Sequence, residues 1–168
     1  MGTDEHKKNA PEKLNIGIIS ISSTRSLRDD KSGKWIQARA LKERHQVVCH
    51  KVIPDQIDRI SDEVTDILTH LSPHVIILTG GTGISKKDVT IEAVRPLFQK
   101  ELTAFGVIFA QLSFEEIDSA AILSRATAGI IHNTAVFCIP GSIQACKLAC
   151  KALIFPELGH IIKHIQDN

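Results

Sequence analysis

The stretch VIILTGGTG occupies positions 75–83 and joins a short apolar run to a turn that contains three glycines. The apolar run, residues 75–79, is typical of a buried central strand. Glycine adopts positive φ at little cost and allows close approach to the backbone, so Gly80, Gly81 and Gly83 can point successive N–H groups at an anion. Thr79 and Thr82 add hydroxyl donors. The alternative is a tight connection that needs glycine only for its shape.

This turn matches neither of two common phosphate-binding motifs. No Gly-Lys-Ser/Thr sequence follows it, which excludes a P-loop, and the order G-G-T-G differs from the G-x-G-x-x-G of a dinucleotide-binding turn. A helix predicted over residues 90–98 places its positive end near the turn. The sequence therefore predicts an anion site for a phosphorylated small molecule.

Strand-like and helix-like runs alternate on both sides of the turn. Before it, strands are predicted over 14–22 and 47–53, and helices over 35–44 and 55–71. After it, the predictions are helices over 90–98 and 143–155, a loosely helical stretch through 105–114, an ambiguous region over 120–129, a strand over 134–139 and a final helical turn over 158–165. This alternation predicts a three-layer α/β fold, in which a mostly parallel sheet carries helices on both faces.

Size and composition favour one globular domain. The chain has 168 residues, of which 43% are hydrophobic and 23% are charged. We expect a single domain over residues 14–168 and a polar, disordered arm over residues 1–13 that has no apolar signal core. No apolar run reaches the roughly 20 residues that span a bilayer, which predicts no membrane segment and a cytoplasmic location. The net charge of +1 provides no general field for nucleic acid or an anionic membrane.

The cysteines and histidines predict no metal site. The four cysteines form no C-x-x-C pair. Cys146 and Cys150 are spaced to share a helix face, but a buried apolar role fits them better than zinc binding. The eight histidines are scattered, and none is assigned to a metal.

Two aspartates follow the ends of predicted strands. Asp88 comes shortly after the glycine turn, where a carboxylate repels phosphate unless a cation intervenes. Mg²⁺ held by one or two carboxylates and by phosphate oxygens removes that conflict. Asp55 follows the second strand, and because the ends of parallel strands converge, both aspartates are expected to face one cavity. For each, the alternative is an N-cap of the following helix.

Two further polar groups also follow strand ends. Pro140, Gly141 and Ser142 repeat the order of strand, glycine and helix start, which suits either a second anion site or a plain turn with Ser142 as N-cap. The group after the first strand suits either polar ligand recognition or an ordinary solvated loop, and it contains Ser20, Ser22, Thr24 and Arg25.

In combination, these segments resemble the MoaB/MogA family of molybdenum cofactor biosynthesis proteins. The family signature is similar to residues 79–83 (TGGTG), 88–90 (DVT) and 92–93 (EA). Later segments follow in the family's order: 112–117 (LSFEEI), 123–126 (LSRA), 128–129 (AG), and 140–142 (PGS) with Ala145. The resemblance runs from about residue 15 to residue 160 and is closer to the B-type members.

The resemblance implies a molybdopterin-binding fold that assembles as trimers, or as hexamers made of two trimers. It also implies an adenylylation with Mg²⁺, in which the phosphate of molybdopterin attacks the α-phosphorus of ATP and pyrophosphate leaves. The expected substrates are therefore ATP and molybdopterin, and contact with other molybdenum cofactor biosynthesis proteins is a further possibility.

The resemblance also suggests roles for individual residues. Asp88 matches the family's acid after the glycine turn, and Asp55 matches a second acid at the end of the second strand, where Pro54-Asp55 is the form of the active branch. The resemblance therefore makes Asp55 and Asp88 the expected catalytic residues and Mg²⁺ ligands. The residues assigned to substrate and nucleotide binding are Ser20, Ser22, Thr24, Arg25, Thr79, Gly80, Gly81, Thr82, Gly83, Thr90, Glu92, Ser113, Arg125, Pro140, Gly141 and Ser142.

Three positions depart from the pattern of B-type members. Val107 and Ala110 stand where those members often have a glutamate and an arginine, and Asp118 stands where glycine is common. The lost arginine suggests a weakened contact to pterin, phosphate or a neighbouring subunit. The alternative function is therefore a non-catalytic molybdopterin-binding or carrier protein, followed by a partner-binding subunit that only shares the scaffold.

Overall fold

A computed structural model describes residue 11 and residues 13–167 of the chain, which are built around a six-stranded sheet. The strands are β1 Asn15–Ile21, β2 Gln46–Ile53, β3 Val75–Thr79, β4 Lys100–Glu101, β5 Thr127–Ile131 and β6 Thr134–Ile139. The helices are α1 Lys31–Lys42, α2 Ile57–Leu71, α3 Thr90–Val94, α4 Thr103–Ile117, α5 Ile143–Ala149 and α6 Phe155–Gln166. The predicted disordered arm falls almost entirely on residues outside this description.

The sheet is mostly parallel, as the sequence predicts. Its strand order is β2-β1-β3-β6-β5-β4. Strands β2, β1, β3 and β6 run parallel, whereas β5 and β4 form an antiparallel edge. The chain order reverses on either side of β1, so the crevice beyond the carboxyl ends of β1 and β3 is the topological switch point where such folds bind ligands.

Helices cover both faces of the sheet, which gives the predicted three layers. Side chains alternate along each strand, so that in β3 Ile77 packs into one hydrophobic core and Ile76 into the other. The first core receives buried residues from α1, α4, α5 and α6, such as Ile36 and Phe109. The second core receives those of α2 and α3, such as Val64. These buried faces fix the strand ends that carry the site.

Several predicted boundaries shift for identifiable reasons. Helix α1 begins at Lys31 rather than at residue 35, because the Asp30 side chain accepts a hydrogen bond from the Gly33 amide and caps the helix. The helix predicted over 90–98 ends at Val94, and a 3₁₀ turn that contains Pro96 follows it over Arg95–Leu97.

The part of the chain after residue 99 contains a longer helical run than predicted and two strands in unpredicted places. A single helical run continues from α5 through a π-helical turn over Cys150–Ile154 into α6, next to Pro156, which lacks a backbone donor. The ambiguous region divides into a 3₁₀ segment, Asp118–Leu123, and strand β5. The two-residue strand β4 is too short to leave a periodic pattern. Among residues 13–167, no helix combines the length and the apolar character that crossing a membrane requires.

Candidate functional site

A cavity of about 460 Å³ opens at the carboxyl ends of the parallel strands, at the switch point beside β1 and β3. Its size falls within the range of pockets that bind small molecules. It is lined by Ile21, Ser22, Ser23, Thr24, Arg25, Asp55, Gly80, Gly81, Thr82, Gly83, Ser85, Lys87, Asp88, Ser124, Pro140 and Gly141. The topology thus brings together residues from five separate segments of the chain.

The glycine turn adopts a backbone that other residues would not fit. Gly80 and Gly81 have φ values of +100° and +63°. A Cβ on Gly80 would lie 2.5 Å from the Ile21 carbonyl oxygen, and one on Gly81 would lie 2.4 Å from Thr90 Oγ1. The backbone conformation of the turn therefore explains why these two positions are glycine. It also places backbone without side chains on the cavity wall.

The carbonyl oxygens of this turn all accept hydrogen bonds from the protein. Thr90 donates its hydroxyl to the Gly80 carbonyl at 2.8 Å and its amide to the Gly81 carbonyl at 2.9 Å. Arg125 Nε donates to the Thr82 and Gly83 carbonyls at 2.9 and 3.0 Å. Because the negative ends of these peptide dipoles are neutralised, the opposite N–H side of the turn favours an anion.

Arg125 is itself held by Glu92. Its Nη1 and Nη2 donate to the two carboxylate oxygens of Glu92 at 2.6 and 3.2 Å. The hydrogen bond between them lowers the pKa of Glu92 and raises that of Arg125, so both groups stay charged. Neither residue lines the cavity. In this structure Arg125 and Glu92 hold the turn, and their contact with a ligand stays a prediction.

The hydroxyl of Thr82 is buried and has no hydrogen-bond partner within the described protein. Thr82 is 2% exposed and lies within the glycine turn on the cavity wall. Leaving a buried polar group unpaired costs about 1–3 kcal/mol. A ligand oxygen in the cavity would satisfy this hydroxyl.

Asp55 and Asp88 line the same cavity, and neither caps a helix. Asp55 Oδ2 accepts from Ser23 Oγ at 2.7 Å, while the N-cap position of α2 belongs to Gln56. Asp88 Oδ2 accepts from the Ser85 amide at 2.8 Å, while Val89 precedes α3. The N-cap alternative is thus wrong for both aspartates, and their two carboxylates share one cavity with the glycine turn.

The cavity lining also includes polar and positively charged residues. Ser22 Oγ accepts from the Thr24 and Arg25 amides at 3.3 and 3.1 Å and so shapes this loop. The side chains of Arg25 and Lys87 both belong to the lining. Lys87 was missed as a site residue, although its position directly before Asp88 was the available signal.

Several other residues predicted to bind ligand are absent from the cavity lining. Thr79 Oγ1 donates to the Pro140 carbonyl at 3.0 Å, and Ser142 caps α5 by accepting from the Ala145 amide at 3.2 Å. Ser113 lies on the buried face of α4. The residues predicted to bind ligand that do not line the cavity are Ser20, Thr79, Thr90, Glu92, Ser113, Arg125 and Ser142.

A buried network around Asp30 supports the cavity floor. Asp30 Oδ2 accepts from Ser20 Oγ at 2.5 Å and pairs with His50 Nε2 at 2.7 Å. Burial alone would raise the pKa of Asp30, but hydrogen bonds from Ser20, the Gly33 amide and His50 outweigh it and lower the pKa. Ser32, two residues after Asp30, donates its hydroxyl to the Gly141 carbonyl at 2.9 Å. The network therefore joins β1, β2 and α1 to the loop at residues 140–142, which contains Gly141.

The departures from the family pattern lie away from the cavity wall. Val107 is 70% exposed and Ala110 is also exposed, both on α4, which contributes no residue to the lining. Asp118 has a φ of +51°, a conformation that explains why glycine suits this position. The substitutions at 107 and 110 therefore change an outer helix surface of this chain.

Comparisons with known proteins agree with this geometry. Residues 17–160 match the family described as "Probable molybdopterin binding domain". The chain is 44% identical to molybdenum cofactor biosynthesis protein B of Bacillus subtilis (strain 168), over 100% of this chain and 99% of that protein. It is 39% identical to a molybdopterin adenylyltransferase of Pyrococcus furiosus, over 99% of this chain and 100% of that protein.

Solved structures show the same fold. The structure of a molybdenum cofactor biosynthesis protein B superimposes with a TM-score of 0.91 at 39% identity, covering 95% of this chain and 100% of the other. The tungsten cofactor synthesizing protein MoaB of Pyrococcus furiosus gives a TM-score of 0.85 at 37% identity, covering 94% and 99%.

Proposed function

The chain belongs to the MoaB/MogA family of molybdopterin-binding proteins, and on that premise we propose that it is a molybdopterin adenylyltransferase of molybdenum cofactor biosynthesis. The observation that carries the proposal is the pair of carboxylates, Asp55 and Asp88, in one cavity with a donor-rich glycine turn. Acids beside an anion site suit a substrate that arrives as a phosphate–cation complex, as ATP does. A cytoplasmic location fits this role.

The donor set of the cavity fits Mg²⁺. Carboxylate oxygens are the ligands that Mg²⁺ prefers, and it usually takes one or two of them and fills the other positions with water and phosphate oxygens. Among the described residues, no group of three or more His, Cys, Asp or Glu side chains that could hold a metal occurs. We propose that Asp55 and Asp88 hold the ion, which would offset the negative charge of the phosphates.

The remaining lining residues have roles that follow from their chemistry. The amides of Gly81, Thr82 and Gly83 and the Thr82 hydroxyl bind phosphate oxygens, whereas the Gly80 amide donates to the Ile139 carbonyl. Arg25 and Lys87 offset the phosphate charge. In the proposed reaction, a phosphate oxygen of molybdopterin forms a bond to the α-phosphorus of ATP, and the bond from that phosphorus to pyrophosphate breaks. Such a transfer depends on charge neutralisation and positioning, and it needs no protein nucleophile.

A carrier protein that binds molybdopterin without using ATP is the second candidate. Val107 and Ala110 favoured it in the sequence, but their position outside the cavity weakens that argument. Calorimetric titration with Mg-ATP separates the two functions. Micromolar binding supports the transferase, whereas molybdopterin binding without ATP binding supports the carrier. Absence of both would favour a scaffold that only binds partner proteins.

Replacing Arg125 by glutamine should loosen the glycine turn without removing a lining residue. Loss of the bonds to the Thr82 and Gly83 carbonyls and of the Glu92 pair should raise KM for ATP about tenfold and change kcat less, since about 1.4 kcal/mol of binding is lost. Steady-state kinetics at varied ATP measure the effect. Arg95→Gln is the control, because Arg95 pairs with Glu101 on the surface. A fall in kcat alone would argue against a positioning role.

We also propose that the chain forms a homotrimer, or a hexamer of two trimers, through the apolar surface of α4. This surface exposes Val107 (70%), Ile108 (43%), Phe114 (57%) and Ile117 (50%). Contiguous exposed apolar residues on a soluble protein mark an association surface. The adjoining 3₁₀ segment extends it with Ile122, which is 84% exposed.

Placing a charge on this α4 surface should dissociate the oligomer. Phe114→Glu would bury an unpaired carboxylate at the subunit contact, which strongly disfavours association. Size-exclusion chromatography with light scattering should give multiples of three of the 18.4 kDa chain for the parent protein and mostly monomer for the variant. Leu41→Glu on α1 is the control, because Leu41 is similarly exposed at 55% outside this surface. An unchanged mass for Phe114→Glu would rule out α4 as the contact.

A further inference from the structure

A pair of histidines projects from α6, outside the cavity described above. His160 and His164 are one helical turn apart, and their Nε2 atoms lie 3.0 Å from each other. The rings are 4.7 Å apart at their centroids and inclined by 51°. The sequence carries the H-x-x-x-H spacing at 160–164, but spacing alone does not show that two rings converge.

The distance between the two nitrogens matches that of two ligands on one metal ion. Imidazole nitrogens bind such ions at roughly 2.0–2.1 Å, so nitrogens 3.0 Å apart subtend about 95° at a shared ion. This angle is close to the right angle of square-planar and tetragonal sites, which Cu²⁺ and Ni²⁺ prefer. A tetrahedral Zn²⁺ site would require the nitrogens to separate by a further ~0.3 Å.

Glu157 supplies the outer contact that metal-binding histidines usually have. Its Oε2 lies 3.2 Å from His160 Nδ1. A carboxylate at Nδ1 fixes the proton on that nitrogen, leaves the lone pair on Nε2 and makes it a better ligand.

Buried residues of α6 fix the position of the histidine pair. Leu158 and Ile162 are fully buried in the first hydrophobic core. Residues two positions away along a helix point to nearly the opposite side, so His160 and His164 lie away from the anchored surface. The side chain of His160 is 22% exposed, and His164 is exposed. The backbone that sets their spacing is therefore fixed by packing, and little ordering is needed when an ion binds.

We propose that His160 and His164 form a two-histidine chelate for one divalent transition-metal ion of the Cu²⁺ and Ni²⁺ type, with Glu157 as its positioning residue. The ion takes Nε2 of both rings, and its remaining positions stay open to water or another donor. This site is separate from the Mg²⁺ proposed at Asp55 and Asp88, because imidazole nitrogen suits transition metals and carboxylate oxygen suits Mg²⁺.

Titration of the full-length, tag-free chain with NiCl₂ in a non-coordinating buffer tests the site by calorimetry. We expect one Ni²⁺ per chain, with at least a tenfold loss of affinity in His160→Gln and in His164→Gln. His70→Gln is the matched control, because His70 is an exposed histidine on α2 with an Asp66 partner, and it should leave binding unchanged. Circular dichroism checks that each variant is folded.

The role of Glu157 has its own readout. Glu157→Ala keeps both ligands, so the stoichiometry should stay at one Ni²⁺ while the affinity falls about tenfold, as for other outer-shell carboxylates. Unchanged affinity in this variant would remove Glu157 from the site. The chelate itself is overturned if the parent protein binds no Ni²⁺, or if the His160→Gln/His164→Gln double variant binds it as tightly as the parent.

Discussion

Asp88→Asn should lower the rate of adenylyl transfer by about a thousandfold while the protein stays folded. Asparagine keeps the size of the side chain and an oxygen that can accept from the Ser85 amide, so the local turn is preserved. Only the negative charge is lost, and with it a ligand for Mg²⁺ and much of the neutralisation of the phosphates. Pyrophosphate release with molybdopterin and Mg-ATP measures the rate.

The matched control for this variant is Asp62→Asn. Asp62 is an exposed residue of α2 that does not line the cavity, and it undergoes the same change of charge. It should retain full activity. If Asp88→Asn also retained full activity, Asp88 would have no part in catalysis, and the proposed pairing of Asp88 with Asp55 around a cation would fail.

Gly80→Ala should destabilise the fold and abolish ATP binding together. At a φ of +100°, a Cβ on residue 80 would lie 2.5 Å from the Ile21 carbonyl oxygen, a backbone atom that can move only with β1. We expect the free energy of unfolding to fall by about 2–4 kcal/mol and Tm to fall by roughly 5–15 °C. Thermal unfolding and calorimetry with Mg-ATP measure the two effects.

Gly159→Ala provides the control for Gly80→Ala. Gly159 lies within helix α6 and does not have positive φ, so alanine there should be neutral or stabilise by up to about 1 kcal/mol. An equal loss of stability in both variants would mean that the effect at position 80 does not come from its special backbone. A stable Gly80→Ala protein with normal ATP binding would contradict the strained-turn account.

Much of the fold follows from the sequence because its strong signals are local. The run at residues 75–79 and the spacing of apolar residues along α2 predict a buried strand and an amphipathic helix without tertiary information. Strand β4 and the division of residues 118–131 could not be predicted, because a two-residue strand and a 3₁₀ segment exist only through their contacts with neighbours.

The site was predictable where its residues sit in the glycine turn or directly after a strand end. Asp55, Asp88 and the glycines are of this kind, and the structure places them in one cavity. The parts that escaped prediction depend on distant pairs, such as Arg125 with the Thr82 carbonyl and Asp30 with His50. Sequence spacing does not show such contacts. Residues that line the cavity and residues that only support its lining therefore could not be told apart from the sequence.

The most direct test of the central proposal is a discontinuous assay for adenylyl-molybdopterin with the purified protein, molybdopterin, ATP and Mg²⁺. We predict that adenylyl-molybdopterin and pyrophosphate form in equal amounts, and that product formation requires Mg²⁺. A protein that binds molybdopterin and Mg-ATP yet forms no adenylyl-molybdopterin would contradict the account.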